Sequence, residues 1–577
     1  MFAPIDWAVI GLYLGFALLV GFVVRERAEQ GRHSYFIADR SLPWWWAGVS
    51  IAATTFAADT PLAITGIVAN RGLSGNWLWL SWLLVHAGVA VVFARRWWRT
   101  GVVTDAEFIA LRYADPLAPA LRSFRALLFG LVYNAIILGW VLRAMSKIVK
   151  PLFPWDEWMP GVVAAVGSLM PAGSALGGPS ELISLIVLIG LVAGYSYLGG
   201  IRGVIVTDLV QFAVGLAGSI WLAVAAWQAV GGHAGLVDGL HRLYGEHPET
   251  LAFFPTTGRS WVDALGIGAF TLGLYLLVQS YANVPSDGGG YLQQRLNSTR
   301  SERDATKAAT LFLGLQYLVR VWPWFVVALA ALVIAPIGAE GANLPPDLAQ
   351  VVAADREMAY PALMFHLLPA GVLGLLVVSL LAAFMSTIDT HFNWGSSYLV
   401  TDLYLRFRPD ASSRQQIRVA RAGVVGFALL AILVGMQIDT IEQAWRWVAF
   451  LGASLGVPTA LRWIWWRVTA ASELAGALAG LATATALILW SDAPYEVRLV
   501  WISAMSTVGL LAGIALGPTV DRSAVERFRA KVRPIGFWPG VPIERAAAQL
   551  ARATGRVAAL ALGVVAALWL GNQLLFG

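Results

Sequence analysis

The chain has 577 residues, of which 58% are hydrophobic and only 13% charged, with a net charge of +6 and no cysteine. A mean hydropathy of +0.68 excludes an ordinary soluble protein and fits a polytopic membrane protein whose 27 tryptophans suit interfacial belts. The missing thiols exclude disulfides, thiolate metal sites and sulfur redox chemistry, and the excess of arginine reads as membrane topology rather than as a nucleic-acid surface.

Spans of about 20 apolar residues can be marked from end to end, and fourteen are expected. They run Trp7–Val24, Leu42–Asn70, Trp77–Ala94, Phe124–Val149, Glu181–Gly199, Gly203–Val230 and Trp261–Pro285. The second half holds Ala308–Ala335, Pro369–Val400, Val419–Gln437, Ile441–Trp466, Ala470–Trp490, Val497–Gly517 and Val557–Phe576. With an extracytoplasmic N-terminus, the cytoplasmic gaps and helix ends take about 30 of the 40 Lys and Arg, with Arg143, Arg320 and Arg446 counted as buried. That asymmetry supports the orientation and the helix count and puts both termini outside; the expected location is a bacterial-type plasma membrane, crossed many times. Arg25, Glu26 and Arg27 follow the first run and no basic residue precedes it, which favours a retained helix over a signal peptide.

In the second run, AATTFAADTPLAITG places Asp59, paired threonines and Pro61 at membrane depth, which predicts a discontinuous helix with freed carbonyls. A plain proline kink is the alternative, but a carboxylate at that depth is costly unless it is paired or functional. The segment from Arg95 to Arg125 reads as an amphipathic cytoplasmic connector, and Lys150 to Ser180 as an external loop with one short helix. YSYLGGIRGVIVTDLVQ forms a glycine turn between two spans, with Asp208 about two turns into the second. It lacks the GxxxxGK pattern, so nucleotide binding is not expected. QSYANVPSDGGGYLQQR interrupts or ends the seventh run.

Leu380 to Tyr398 carries an unusual load of oxygen donors. At about 100° per residue, Ala383, Ser386, Thr387, Thr390, Asn393 and Ser397 share one stripe opposite Leu381, Phe384, Met385, Ile388 and Phe392, with Asp389 at its edge. Hard oxygens on an oily helix suit a small cation held inside a membrane. His391 lies off the stripe and reads as a packed histidine. Gly452 and Gly456 in GASLG read as helix packing, and Thr519 to Arg556 as a basic cytoplasmic segment. With no HExxH and no GxSxG, nothing points to an enzyme.

Three motifs, IAATTFAADTPLAITG, YSYLGGIRGVIVTDLVQ and FMSTIDTHFNWGSSYLVTDLY, resemble those of the sodium:solute symporter family. The resemblance implies an all-α, five-plus-five inverted-repeat core of the leucine-transporter type within one transmembrane domain. One helix and loop (1–41) would precede the repeats at 42–230 and 261–466, and three accessory helices (470–577) would follow. It implies sodium-coupled import of a small polar solute such as a sugar, sialic acid, amino acid or monocarboxylate, by alternating access. Sodium would be held by the carbonyls of Ala53, Phe56 and Ala383 and the hydroxyls of Ser386 and Thr387. A second cation is implied between Asp208 and Ser386, Asp389 and Thr390, where Asp389 replaces a usual hydroxyl; a proton shared by the two aspartates is the alternative. Solute contacts would come from Thr60, Trp79, Arg143, Gln279 and Arg446. Arg143 would either clamp a carboxylate or snorkel outward beside Lys147 and Lys150. The other reading of such a bundle is a membrane sensor with little or no transport. The expected partners are the solute, sodium and the bilayer, and the sequence does not give the oligomeric state.

Overall fold

The computed structural model of the protein describes residues 2–23, 31–149, 152–171, 173–245, 249–254, 269–282, 285–337 and 343–576. Among them the chain is helical without a strand, and two isolated bridges, Leu42 with Thr299 and Trp465 with Phe537, are its only extended pairings. The principal elements are α1 (Pro4–Val23), α2 (Trp44–Thr54), α3 (Asp59–Arg71), α4 (Leu73–Leu80), α5 (Leu83–Thr100), α6 (Ala118–Val149) and α7 (Pro179–Ala229). They continue with α8 (Ala269–Ala282), α9 (Tyr291–Asn297), α10 (Glu302–Ile334), α11 (Val372–Phe407), α12 (Ser413–Gly435) and α13 (Ile441–Leu461). Last come α14 (Ala470–Trp490), α15 (Tyr495–Leu516) and α16 (Ile543–Phe576).

Eight of the described helices are long and apolar enough to cross a membrane, or ten if the bent pairs α2–α3 and α4–α5 each count as one span. The other four expected runs appear as shorter or more polar helices: α1, the first limb of α7, α8 and α13. The start of the seventh run, 261–268, and residues 283–284 lie outside the described residues.

Both expected interruptions have local causes. α2 ends at Thr54, where the Thr55 hydroxyl turns back to donate to the Ile51 and Ala52 carbonyls at 3.0 and 3.1 Å. The chain re-enters helix at Asp59 after a 52° bend. Pro61 therefore opens the second limb rather than ending the first: it lies in the first turn, where an absent N–H costs no helical bond. Between α8 and α9 the backbone reaches φ +73° at both Gly288 and Gly290. A side chain there would be strained and would also meet Val89 at 2.5 Å and Trp394 at 2.9 Å respectively.

Three expectations change in detail. The glycine turn between the fifth and sixth runs is a bend at Gly200 within one helix, α7, with Gly200 at φ +53° against Tyr35. The external loop holds two short helices, Trp155–Trp158 and Pro160–Leu169. The basic segment after Gly517 is largely helical: Arg522–Val532 is a separate helix, and α16 starts at Ile543, ahead of the apolar window at Val557. Hydropathy cannot register that first part of α16, because Arg545, Arg552 and Arg556 sit on it.

α11 lies at the centre, with Leu373, Gly374 and nearly all of 376–398 buried, and is packed by α1, α2, α7, α6 and α12. Its polar stripe therefore faces other helices, so the hydroxyls must find partners within the protein.

Candidate functional site

The hydroxyls of α11 find those partners at the end of α2. Ser386 Oγ donates toward Ala53 O at 3.1 Å and lies 2.9 Å from Ala383 O. Thr387 Oγ1 lies 3.0 Å from Thr54 O and 3.2 Å from Ala383 O. Four of the five expected sodium ligands, Ala53, Ala383, Ser386 and Thr387, thus meet in one buried cluster, and Thr54 supplies a carbonyl that sequence reasoning did not assign. Phe56 is buried beside them at the break; its N–H donates to Ala53 O at 2.9 Å, and its ring packs on Trp324 and Phe212. Two hydroxyls, the carbonyls of Ala53 and Thr54 at the end of α2 and that of Ala383 within α11, all neutral, form an oxygen cluster suited to a monovalent cation.

A second cluster lies one turn along α11. Thr390 Oγ1 is 3.0 Å from Thr54 Oγ1 and 3.5 Å from Asp389 Oδ1, and Ser50 Oγ donates to Asp208 Oδ2 at 2.5 Å. Between them stands Arg295 of α9, fully buried. Its Nε donates to Ser50 Oγ at 3.0 Å and its Nη2 to Thr390 Oγ1 at 2.5 Å, with Nη2 3.7 Å from Asp208 Oδ2. Asp208 and Thr390 are brought together as expected, but around a guanidinium; Ser386 belongs to the first cluster. Arg295 was not singled out from the sequence. The available signal was an arginine one turn into a short helix that follows three glycines.

A cavity of about 110 Å³ opens beside the first cluster, between α2, α3, α4, α5, α6, α9, α10, α11 and α13. Thr60 and Trp79 line it. The other three expected solute contacts point elsewhere. Arg143, half-buried on α6, donates from Nε to Asp439 O at 3.2 Å. Gln279 donates to Leu78 O at 3.0 Å and accepts from Tyr495 Oη at 2.9 Å. Arg446 pairs with Glu442 at 2.7 Å and lies over the Tyr495 ring. None of the three lines the cavity. Residues the sequence left unassigned do: His86, Arg320, Trp394 and Trp445, with His391, whose Nδ1 is held by Asn134 Oδ1 at 2.5 Å.

The loop that separates α8 from α9 is fastened from behind. Asp287 Oδ2 accepts from Arg462 Nη2 and Trp463 Nε1, both at 2.6 Å, while Trp97 Nε1 donates to the Asp287 carbonyl at 2.7 Å. Arg462 also lies 3.4 Å from Glu473, which binds Arg125 at 2.7 Å and accepts from Tyr113 Oη at 2.8 Å. These charges are all buried, so each depends on the others.

Known proteins resemble the chain in sequence and in fold. The chain is 25% identical over 503 residues to sodium/glucose cotransporter 4 of Danio rerio, covering 82% of this chain and 70% of the relative. It is 24% identical over 460 residues to the sodium/myo-inositol cotransporter of Homo sapiens, covering 75% of this chain but only 59% of that one. A sodium/glucose cotransporter of Vibrio parahaemolyticus is 24% identical over 460 residues, with 77% of each chain covered. Among solved structures, a Na+-coupled sialic acid symporter in a substrate-bound outward-open state superposes with a TM-score of 0.71 at 18% identity, over 90% of this chain and 99% of that one. The fold is thus that of leucine-transporter-type membrane transporters. The model of the family described as "Sodium:solute symporter family" matches residues 35–170 and 173–482, most of the length, and the chain belongs to that family.

Proposed function

We propose that the protein is a sodium-coupled secondary active symporter that imports a small polar organic solute. The observation that carries this reading is the meeting of the Ala53 and Thr54 carbonyls at the end of a broken helix with Ser386, Thr387 and the Ala383 carbonyl of α11. One sodium ion sits there, with the Phe56 carbonyl completing the set, and joins the broken helix to α11 in the outward-facing state. The solute occupies the adjoining cavity, whose wall shares Thr54 and Thr387 with the ion cluster, so that each stabilises the other's site. Rocking of the bundle that contains the broken helices against the scaffold that contains α11 then exposes both to the cytoplasm. The repeats divide as 42–230 and 261–466, flanked by 1–41 and 470–577, and both termini lie outside a bacterial-type plasma membrane.

At the second cluster the resident charge is Arg295, which stands between Asp208 and Thr390 and leaves one coupled sodium rather than two. Sodium-driven uptake into proteoliposomes tests the reading as a whole. Accumulation that requires an inward sodium gradient supports it. Flux that ignores that gradient, or the absence of net flux for any sugar, sialic acid, amino acid or monocarboxylate, overturns it.

A further inference from the structure

The cavity wall carries two opposite charges that lie within each other's field but, among the described residues, form no direct ion pair. Asp59, the first residue of α3, is 3% exposed, and its Oδ1 has no hydrogen-bond partner. Arg320, at the end of the π-helical turn in α10, is 1% exposed. One terminal nitrogen donates to Ala52 O at 2.8 Å, while Nε has no partner. Both residues line the same cavity, yet among the described residues neither takes part in an ion pair within 4.0 Å. Three more cavity-lining atoms, Trp82 Nε1, His86 Nε2 and Trp394 Nε1, also lack partners. Single unsatisfied polar atoms are uncommon in native interiors, and a buried unpaired charge is costlier still. Five in one cavity mark where a ligand supplies the missing partners.

We infer that the solute is a zwitterion of the α-amino-acid class, including its N-alkylated forms; the inference rests on the symport reading of this same cavity. Its cationic nitrogen faces the Asp59 carboxylate beside the Trp82 and Trp445 rings, which stand edge to face at 6.0 Å and attract a cation through their π faces. Its carboxylate faces Arg320, whose Nε side is uncommitted and offers the parallel pair of N–H donors that a carboxylate fits. The indole N–H groups and His86 complete the polar contacts, and the remaining aromatic wall covers an apolar side chain. A neutral sugar or polyol satisfies the hydrogen bonds but leaves both charges without a counter-charge in direct contact. A monocarboxylate answers Arg320 and repels Asp59, and an amine does the reverse.

The test uses the purified full-length chain. Thermal stabilisation in sodium and in potassium is titrated with glycine betaine, L-proline, L-leucine and L-phenylalanine, with the decarboxylated amine and the deaminated acid of leucine and phenylalanine, and with D-glucose and myo-inositol. Uptake of the same compounds is measured in proteoliposomes. The expected result is sodium-dependent binding of at least one zwitterion, with leucine or phenylalanine at least tenfold tighter than its amine or its acid. In Arg320→Gln, the amino acid and its amine should come within about threefold of each other. The wild-type comparison stands on its own should that variant not fold. Zwitterions that bind no better than their half-molecules, or that are inert, overturn the inference. If glucose or myo-inositol is then accumulated on a sodium gradient, the symport reading survives without it; if no compound is accumulated and sodium does not stabilise the protein, both fall.

Discussion

Removing the two hydroxyls of α11 gives the most direct measure of the proposed sodium cluster. Ser386 Oγ reaches Ala53 O and Ala383 O at 3.1 and 2.9 Å, and Thr387 Oγ1 reaches Thr54 O and Ala383 O at 3.0 and 3.2 Å. In both pairs a hydroxyl hydrogen bridges two carbonyls, so ion entry requires the hydrogen to turn away and the oxygen lone pair to turn in. A polar contact to a charged partner contributes about 1.5–3 kcal/mol, and tenfold in affinity is about 1.4 kcal/mol. Ser386→Ala or Thr387→Ala alone therefore raises the half-saturating sodium concentration roughly 10- to 100-fold. The double variant should fall short of the product of the two, because both hydroxyls share the Ala383 carbonyl and losses at a shared partner do not add. The assay is initial uptake in proteoliposomes across a sodium series at constant ionic strength, with solute-free thermal stabilisation by sodium as a transport-independent readout. A double variant whose sodium dependence stays within twofold of wild type in both assays would refute the assignment of these side chains to the ion.

Three further perturbations have expected signs. Arg295→Gln removes the cation between Asp208 and Thr390, and the sodium dependence of transport should steepen toward a Hill coefficient of two as a second ion fills the vacated position; an unchanged coefficient in an active variant argues against Arg295 as the resident charge. Arg462→Met leaves Asp287 and Glu473 buried without their shared partner and should destabilise the fold by about 3–5 kcal/mol, whereas Arg143→Met, at a half-buried site with no ion pair among the described residues, should change it by less than about 1 kcal/mol. Equal thermal midpoints in detergent would contradict that contrast. Burial lifts Glu357, in the segment before Tyr360, above its ordinary value of 4.5, with Lys147 pulling the other way. Its proton is bound more tightly in the folded state, so its contribution to stability is complete below pH 4.5 and is lost as pH rises through the folded value. Glu357→Gln should flatten that part of the pH profile of thermal unfolding, and an unaltered profile would show that Glu357 does not titrate there.

The spans were legible where apolar composition and helix coincide: Ala470–Trp490 has the same bounds in sequence and structure. The oxygen cluster proposed for sodium was legible because its hydroxyls follow helical periodicity on α11 and because Asp59 and Pro61 advertise a break. The proposed solute cavity was not, since it is assembled from many elements whose contacts have no sequence spacing. Arginine was the most misleading residue. Arg112 and Arg295 fall in gaps that topology counting assigns to the cytoplasmic surface, yet both are buried, one against the Arg462, Trp465, Trp466 and Val468 carbonyls and the other against Ser50 and Thr390. Charge counting cannot separate an arginine that orients a helix at the surface from one that holds helices together within the protein.

Glu473 has a consequence for how far the transporter can be reduced. It lies at the start of α14, beyond the expected repeats, yet it is the shared counter-ion of Arg125 and Arg462. A ten-helix fragment ending before residue 470 would keep both arginines and lose the carboxylate between them. The appended helices are thus an electrostatic keystone, and shortened versions of this chain need a replacement anion at that point before they can stand.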